Sequence, residues 1–166
     1  MKTFNWLKKG ILFSPSGEGN MLNSHAQVMA PIIINDKLRI FFSSRPKQDM
    51  ALPFYADFDL NTLQLKNVNS KPILELGKPG TFDEHGIMPA SIVKNGNELY
   101  LYYSGWQKSI GVPYNNWTGL AISKDNGETF KKYSSAPVLD RNSSELFSAT
   151  SAYVFKDNEL WHTWYS

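Results

Sequence analysis

The sequence repeats itself at long, regular intervals, and this repeat constrains the fold more than any other feature. Three segments share one pattern: an apolar strand, a polar turn and a second strand rich in aromatic residues. They are residues 25–45, 85–106 and 147–166, and each pattern is typical of a β-hairpin. A second marker, Pro-x-Leu, recurs at Pro72 and Pro137 with a spacing of 65 residues. Two unrelated markers with similar spacing indicate a repeat architecture.

Two further candidate strands lie between successive hairpins. They are residues 53–60 and 62–74 in the first unit, and residues 117–123 and 129–139 in the second. Four antiparallel strands in a unit of about 60 residues are the content of a β-propeller blade. No stretch shows sustained helical periodicity, so the sequence predicts an all-β fold built from four-stranded antiparallel blades.

The whole chain, residues 1–166, is predicted to form one partial β-propeller domain of about two and a half blades. The predicted parts are a leading strand at 4–13, a blade at 14–74, a blade at 75–139 and a half blade at 140–166. A closed propeller needs about four blades or more. We therefore expect the chain to be the N-terminal half of a longer propeller, or to be completed by another chain. Either would cover the apolar edge at Trp161–Ser166.

Composition excludes several classes of protein. The 17 basic and 15 acidic residues nearly balance, and no basic run exceeds two residues, so no nucleic-acid partner is expected. The absence of Cys excludes a disulfide scaffold and a thiol nucleophile. The apolar runs are short and the N-terminal residues lack the apolar segment of a secretory signal, which predicts a cytoplasmic protein without a membrane partner. No nucleotide-binding glycine motif occurs, so no cofactor is predicted.

The segment Ser123–Phe130, with the sequence SKDNGETF, resembles the Asp-box, a hairpin motif of sialidases and other propellers. The motif has a local physical logic. Asp125 can accept backbone N–H groups in the turn, Gly127 permits a positive φ, and Phe130 fills the space between strands. This resemblance indicates a hairpin rather than a reaction.

A wider resemblance covers nearly the whole chain. The stretches that carry it include residues 24–26, 41–45, 80–83, 88–91, 102–107, 112–114, 119–123, 137–141 and 159–166. They resemble the five-bladed propellers of glycoside hydrolase families 43, 32 and 130, and look closest to a branch found beside bacterial surface-polysaccharide biosynthesis genes. The resemblance implies a fold that is five-bladed when complete. It also implies a carbohydrate ligand and glycosidase-like activity on a polysaccharide or glycoconjugate.

Three strand entrances are predicted to open into one central channel, because the first strand of each blade lines that channel. They would bring His25, Asp83 and Glu145 together as candidate catalytic residues. Glycoside hydrolysis generally needs two carboxylates across the scissile bond. Asp83 is the first candidate because its Phe-Asp-x-x-Gly setting resembles that of the family, and Glu145 is the second. Glu84 alternates with Asp83 along the chain and ranks lower.

The first-blade entrance departs from the family 43 pattern, which commonly places an Asp-Pro there. Residues 24–31 contain no carboxylate. His25 could act as a base, bind a sugar hydroxyl or hold the loop, since the unperturbed pKa of His is near neutrality. The departure supports a second hypothesis, a non-catalytic glycan-binding or scaffold propeller in surface-polysaccharide biosynthesis. His25, His85 and Asp83 lack the spacing of a known metal motif, so no metal site is predicted.

Several side chains at strand ends are candidates for substrate binding. Arginine suits a carboxylate or phosphate, and tryptophan suits a sugar face. The long connection at residues 107–116 could form a binding wall. The alternatives are that Arg45 pairs with a local Asp and that Trp106 packs between blades. The predicted substrate-binding residues are Arg45, Glu84, His85, Trp106, Tyr114 and Arg141.

Overall fold

The computed structural model describes residues 3–15, 21–46 and 50–166. In these ranges the chain forms eleven β-strands and no helix, and so no helix that could cross a bilayer. The strands form a four-stranded sheet, a second sheet with four strands in sequence order and one added short strand, and a two-stranded hairpin. The chain is thus a partial β-propeller of antiparallel blades, as predicted.

The first blade is an antiparallel meander in which sequence neighbours pair along the whole sheet. Its strands are β1 (Gln27–Ile34), β2 (Lys37–Ser44), β3 (Leu52–Asp59) and β4 (Leu65–Val68). The hairpin between β1 and β2 has a two-residue loop, Asn35 and Asp36, with φ values of 47° and 61°. Positive φ at both positions defines a type I′ turn, whose twist matches the flanking strands and which Asn and Asp tolerate well.

The second blade repeats this arrangement. Its strands are β5 (Gly86–Asn95), β6 (Glu98–Lys108), β7 (Tyr114–Ser123) and β8 (Lys131–Lys132), and the short β9 (Ser148–Ala149) pairs with β7 in parallel. Along β6, Leu99, Leu101 and Tyr103 alternate into the core. The core between the blades is closed by Phe130, which meets Phe41 of the first blade edge-to-face at 5.5 Å.

The third blade is represented by one hairpin, β10 (Tyr153–Asp157) and β11 (Leu160–Trp164). This hairpin is tied to the second blade by the buried hydroxyl of Ser91. That hydroxyl donates to the carbonyl of Ala152 at 2.9 Å and accepts the N–H of Val154 at 3.0 Å. The outer strand β11 is exposed along its whole length.

The structure corrects the predicted leading strand. Residues 4–13 form no strand, and no strand of the described chain pairs with them. Its end still packs on the blade, where Phe13 lies 5.4 Å from Phe42, while Phe4 and Trp6 are exposed. The fourth strand of each blade is also shorter than predicted.

A buried arginine joins the first two blades. The guanidinium of Arg39 donates to both carboxylate oxygens of Asp57, at 2.7 and 2.8 Å. It also donates to Glu128 at 2.7 Å and to the carbonyl of Asn126 at 3.1 Å, both in the second blade. The guanidinium lies over the ring of Tyr55, 3.6 Å from its centroid. Although burial opposes the charged form, the hydrogen bonds to the two carboxylates raise the pKa of Arg39.

The turn that carries the carbonyl of Asn126 and the carboxylate of Glu128 is held by Asp125. Its carboxylate accepts the backbone N–H groups of Glu128 and Thr129 at 3.0–3.1 Å. Gly127 has a φ of 82°, and a Cβ there would lie 2.8 Å from the ring of Phe41. The turn therefore needs glycine both for its backbone conformation and for its close approach to the first blade.

Acid should weaken the fold through this network. Burial alone would raise the pKa of Asp57, but hydrogen bonds from Arg39 and Lys37 lower it, and bonds from Tyr55 and Arg39 likewise lower the pKa of Glu128. As the pH falls below about 4, the unfolded chain therefore binds more protons at these carboxylates than the folded chain does. The stability from these groups is present above the unfolded-state pKa values and is lost as pH falls through the folded-state values.

We expect the free energy of unfolding, measured by urea titration between pH 7 and pH 3, to fall most steeply below about pH 4. Glu128→Gln should make this acid dependence shallower. The matched control is Glu159→Gln, since Glu159 is 94% exposed and forms a surface ion pair with Lys156 at 3.4 Å. Equal slopes in wild type and Glu128→Gln would contradict the prediction.

Candidate functional site

A cavity of about 390 Å³ lies where the first two blades meet. It is bounded by the residue after β2, by the end of β6 and by the start of β7, with one side chain from β5 at its floor. The lining residues are Arg45, Met88, Trp106, Lys108, Pro113, Tyr114 and Asn116. Most of them belong to the turn region of the long hairpin that joins β6 to β7.

Three residues of this cavity carry buried polar atoms without a hydrogen-bond partner. They are Nε of Arg45, Nε1 of Trp106 and Oδ1 of Asn116. These are the buried unpaired side-chain atoms found in the described part of the chain. Such an atom costs about 1–3 kcal/mol while it stays unsatisfied, and all three belong to side chains that line this cavity.

The backbone of Arg45 is fixed by two hydrogen bonds to one residue. Its N–H donates to the carbonyl of Ser24 at 2.9 Å, and the Ser24 hydroxyl donates to its carbonyl at 3.1 Å. Ser44 Oγ donates to the same Ser24 carbonyl at 2.7 Å. The side chain of Arg45 therefore leaves the first blade from a rigid position.

Trp106 is positioned by a glycine on the neighbouring strand. Gly86 is its direct partner in the ladder between β5 and β6, and a Cβ built on Gly86 would lie 1.7 Å from Nε1 of the indole. The ring can lie across β5 only because no side chain stands there. His85, which directly precedes β5, stacks on Trp106 with centroids 5.8 Å apart and planes inclined by 25°.

Glu84 and His85 form a polar pair next to this tryptophan. The carboxylate of Glu84 accepts the backbone N–H of Gly80 at 2.6 Å and the amide of Gln107 at 2.9 Å. These bonds, the first of them above all, lower the pKa of Glu84. The N–H of Lys108 donates to Nδ1 of His85 at 3.3 Å, which in the neutral ring places the proton on Nε2.

Asp83 lies in a different environment from the one predicted. It is 1% exposed, and its carboxylate accepts from the hydroxyl of Tyr103 at 2.9 Å and from Lys132 Nζ at 2.6 Å. The side chain borders a separate cavity of about 560 Å³. Burial, and then the charge and hydrogen bond of Asp83, raise the pKa of Tyr103. These contacts are those of a buried ion pair between strands.

The other two predicted catalytic residues also lie outside the cavity of Arg45 and Trp106. His25 is exposed, has a φ of 64°, and has Nδ1 2.8 Å from the hydroxyl of Ser24. Glu145 accepts from Asn142 at 2.5 Å, and its hydrogen bond to Tyr165 raises the pKa of that phenol.

The structure thus separates the predicted site residues into two sets. Arg45, Trp106 and Tyr114 line one cavity, and His85 and Glu84 stand beside it through Trp106. No contact in the described part of the chain joins His25, Asp83 and Glu145 to one another, and their grouping at one opening stays a prediction. Arg141 lies 4.9 Å over the ring of Trp117, away from the cavity lining.

The sequence interpretation did not single out Asn116, Lys108 or Met88. Asn116 lies opposite Trp106 in the ladder of β6 and β7, so the strand register was the signal that could have identified it. Met88 lies two residues beyond Gly86 on β5, which places both on the same face of that strand. No cluster of three or more metal-ligating side chains occurs in residues 3–15, 21–46 and 50–166.

Comparison with known proteins supports the fold more than the activity. No protein-family model matches the chain. It is 35% identical over 162 residues to an uncharacterized protein of Mycobacterium tuberculosis, found in two strains, and the match covers 96% of this chain. The chain spans 54% of the length of these curated relatives.

Solved structures align with most of the chain. A glycosyl hydrolase from Bacteroides ovatus has a TM-score of 0.66 at 15% identity, covering 97% of this chain and 51% of its own. The fold is that of the glycoside hydrolase β-propellers. A family 117 glycoside hydrolase from Zobellia galactanivorans has a TM-score of 0.59 at 17% identity, and the match covers 87% of this chain and 44% of the hydrolase. The β-1,2-mannobiose phosphorylase of Listeria innocua, in complex with β-1,2-mannobiose, has a TM-score of 0.60 at 16% identity. The match covers 83% of this chain and 39% of the phosphorylase.

Proposed function

We propose that the protein is a carbohydrate-active propeller that binds a saccharide in the cavity of Arg45, Trp106 and Asn116. The observation that carries this proposal is the cavity itself, which brings the aromatic side chains of Trp106 and Tyr114 together with the polar side chains of Arg45 and Asn116. The guanidinium of Arg45 is a donor, and the amide of Asn116 both donates and accepts. Sugar hydroxyl groups both donate and accept, so one saccharide can satisfy atoms of either kind.

The remaining lining residues suit the other surface of a sugar. Trp106 and Tyr114 supply aromatic faces, and Met88 and Pro113 supply apolar contacts. A sugar ring has an apolar C–H face that packs on such surfaces, while its hydroxyl edge turns toward polar groups. The disaccharide complex of the Listeria phosphorylase supports a carbohydrate ligand for this fold.

Glycosidase activity on a polysaccharide or glycoconjugate is the enzymatic form of this proposal. The carboxylate of Glu84 is the acidic group of the described chain that lies beside the tryptophan side of the cavity. Glu84 lies beside His85, which stacks on Trp106. Asp83 and Glu145 stay predicted partners for the second carboxylate that hydrolysis requires. The alternative is a non-catalytic glycan-binding or scaffold propeller in surface-polysaccharide biosynthesis.

The exposed edge at Trp161–Ser166 is proposed to pair with further propeller strands, from the same protein or another chain. Leu160 and Trp164 on β11 are 67% and 65% exposed, and the M. tuberculosis relatives are nearly twice as long as this chain. A branch of five-bladed propellers is consistent with that length. A cytoplasmic location, with neither nucleic acid nor membrane as partner, stays a prediction from composition.

Binding to a panel of immobilised bacterial polysaccharides and oligosaccharides tests the proposed function. We expect at least one glycan to bind, and Trp106→Ala to weaken that binding by about thirtyfold, because truncating a central aromatic anchor costs about 2 kcal/mol. Trp6→Ala is the matched control, since Trp6 is 92% exposed. New reducing ends would favour the glycosidase, and binding without product would favour the scaffold. Absence of any binding would contradict the proposal.

A further inference from the structure

We propose that Asn95 is a site of spontaneous deamidation, a covalent change that turns this residue into aspartate or isoaspartate. The proposal does not depend on a saccharide ligand, because it concerns the turn between β5 and β6. The chain contains two Asn-Gly pairs, Asn95-Gly96 and Asn126-Gly127. The folded structure leaves the first pair open to the reaction and restrains the second.

The reaction uses the side-chain amide of an asparagine and the backbone nitrogen of the next residue. The nitrogen of Gly96 attacks Cγ of Asn95 and forms a C–N bond, while Nδ2 takes up the proton of that nitrogen and leaves as ammonia. Water then opens the cyclic imide at either of its carbonyl groups. This step restores an N–H and a carboxyl group, and the product is aspartate or isoaspartate. Glycine favours the attack because it has no Cβ to hinder the approach of its nitrogen.

The backbone nitrogen of Gly96 is free to react. Asn95 is the last residue of β5 and pairs with Glu98 across a two-residue loop. Gly96 has a φ of 61° and Asn97 has no positive φ, which is the pattern of a type II′ turn. The N–H of the first loop residue points away from the ladder in such a turn. It donates to no acceptor in residues 3–15, 21–46 and 50–166.

The space around this turn allows the backbone rotation that ring closure requires. Gly96 is exposed, and a Cβ built on it meets nothing within 4 Å. The side-chain amide of Asn95 forms no hydrogen bond with the part of the chain that the structure describes. The end of a hairpin also opens more readily than its centre, because few contacts hold it. Both reacting groups can therefore reach the geometry of attack without breaking a contact.

The pair Asn126-Gly127 consists of the same two residues but is restrained on both sides. The N–H of Gly127 donates to Oγ of Ser123 at 2.8 Å, so the nitrogen that would attack is engaged. The carbonyl of Asn126 accepts from the buried Arg39 at 3.1 Å. Gly127 itself is buried, and a Cβ built on it would lie 2.8 Å from the ring of Phe41. Deamidation at Asn126 therefore requires this turn to open first.

Deamidation at Asn95 should weaken the hairpin of β5 and β6. The aspartate product places a second carboxylate directly opposite Glu98 in the ladder, and like charges in such a pair are destabilising. The isoaspartate product adds a backbone carbon to the turn. This addition disturbs the register that directs Leu99 and Leu101 into the core. A preparation that has aged should therefore contain a less stable population.

The test is incubation of the full chain at mildly alkaline pH, both folded and unfolded in urea, followed by peptide mapping with mass spectrometry. Each conversion replaces an amide NH2 by OH, and chromatography separates the aspartyl from the isoaspartyl peptide. In the folded chain we expect Asn95 to convert about tenfold or more faster than Asn126, because the hydrogen bond that holds Gly127 contributes about that factor. In urea the two sites should convert at similar rates.

Two variants assign the difference to these contacts. Ser123→Ala removes the acceptor of the Gly127 N–H and should raise the rate at Asn126 while leaving the rate at Asn95 unchanged. Asn95→Gln should keep its urea midpoint during incubation, whereas the midpoint of the wild type should fall. Equal rates at the two sites in the folded chain, or an intact Asn95 in a folded chain whose two sites both convert in urea, would overturn the proposal. An unchanged rate at Asn126 in folded Ser123→Ala would overturn the protective role of Ser123.

Discussion

Replacing Arg39 by Ala should lower the free energy of unfolding by about 3–5 kcal/mol. The guanidinium is 1% exposed and holds both oxygens of Asp57. Its removal leaves that carboxylate buried with Lys37 as its remaining partner, at 2.5 Å. It also removes the hydrogen bond from Arg39 to Glu128 and the contact of the guanidinium with the Tyr55 ring, and leaves the Tyr55 hydroxyl, at 2.5 Å, as the remaining first-blade donor to Glu128. Equilibrium unfolding in urea at pH 7 measures the loss.

Two further variants show whether the loss comes from the buried charge. Lys66→Ala removes an exposed pair with Asp59, at 3.2 Å, and should cost less than about 1 kcal/mol. The double variant Arg39→Met with Asp57→Leu removes both buried charges and should recover part of the stability lost in Arg39→Ala. If Arg39→Ala were as stable as Lys66→Ala, the buried network would contribute nothing to the fold.

Gly86→Ala should strongly weaken glycan binding although it replaces none of the residues that line the cavity. The added Cβ would stand 1.7 Å from Nε1 of Trp106, so the rigid indole must move. A displaced Trp106 ring no longer contacts the ligand. We therefore expect the affinity for the glycan to fall at least as much as in Trp106→Ala, by about thirtyfold or more. Tryptophan fluorescence should report the displaced ring, and titration with a glycan from the panel should report the affinity.

Gly111→Ala is the matched control for this substitution. Gly111 lies in the connection between β6 and β7, close in sequence to the cavity residue Pro113, and a Cβ there meets nothing within 4 Å. The Gly111→Ala variant should bind the glycan with wild-type affinity and show wild-type tryptophan fluorescence. Wild-type affinity in Gly86→Ala would show that the position of Trp106 does not matter for binding.

The blades could be predicted from the sequence because their strands and turns are local patterns. The turn at Asn35 and Asp36 and the alternation along β6 are both visible in the residues themselves. The strand predicted at residues 4–13 failed for a non-local reason. Its apolar pattern is real, but a strand exists only where another strand accepts its hydrogen bonds.

The site could be predicted in part. Arg45 follows β2 and Trp106 lies near the end of β6, and both line one cavity, while their role in binding stays a prediction. The position of Asp83 depends on features that the repeat does not encode. Gly105 leaves a gap in which a Cβ would meet the Cβ of Asp83 at 2.7 Å, and Tyr103 and Lys132 supply partners on that side. Those partners come from strands far along the chain, so the sequence alone did not indicate them.

The contact between Arg39 and Glu128 spans 89 residues of chain. Until the turn at Asn126 and Glu128 has formed, the guanidinium of Arg39 lacks part of its final set of acceptors. The first blade therefore cannot reach its full stability by itself, and the first two blades should open and close as one cooperative unit. Contacts of such long sequence separation also slow folding. Hydrogen exchange should protect β2 and β7 to the same degree, since neither can be exposed while the other stays closed.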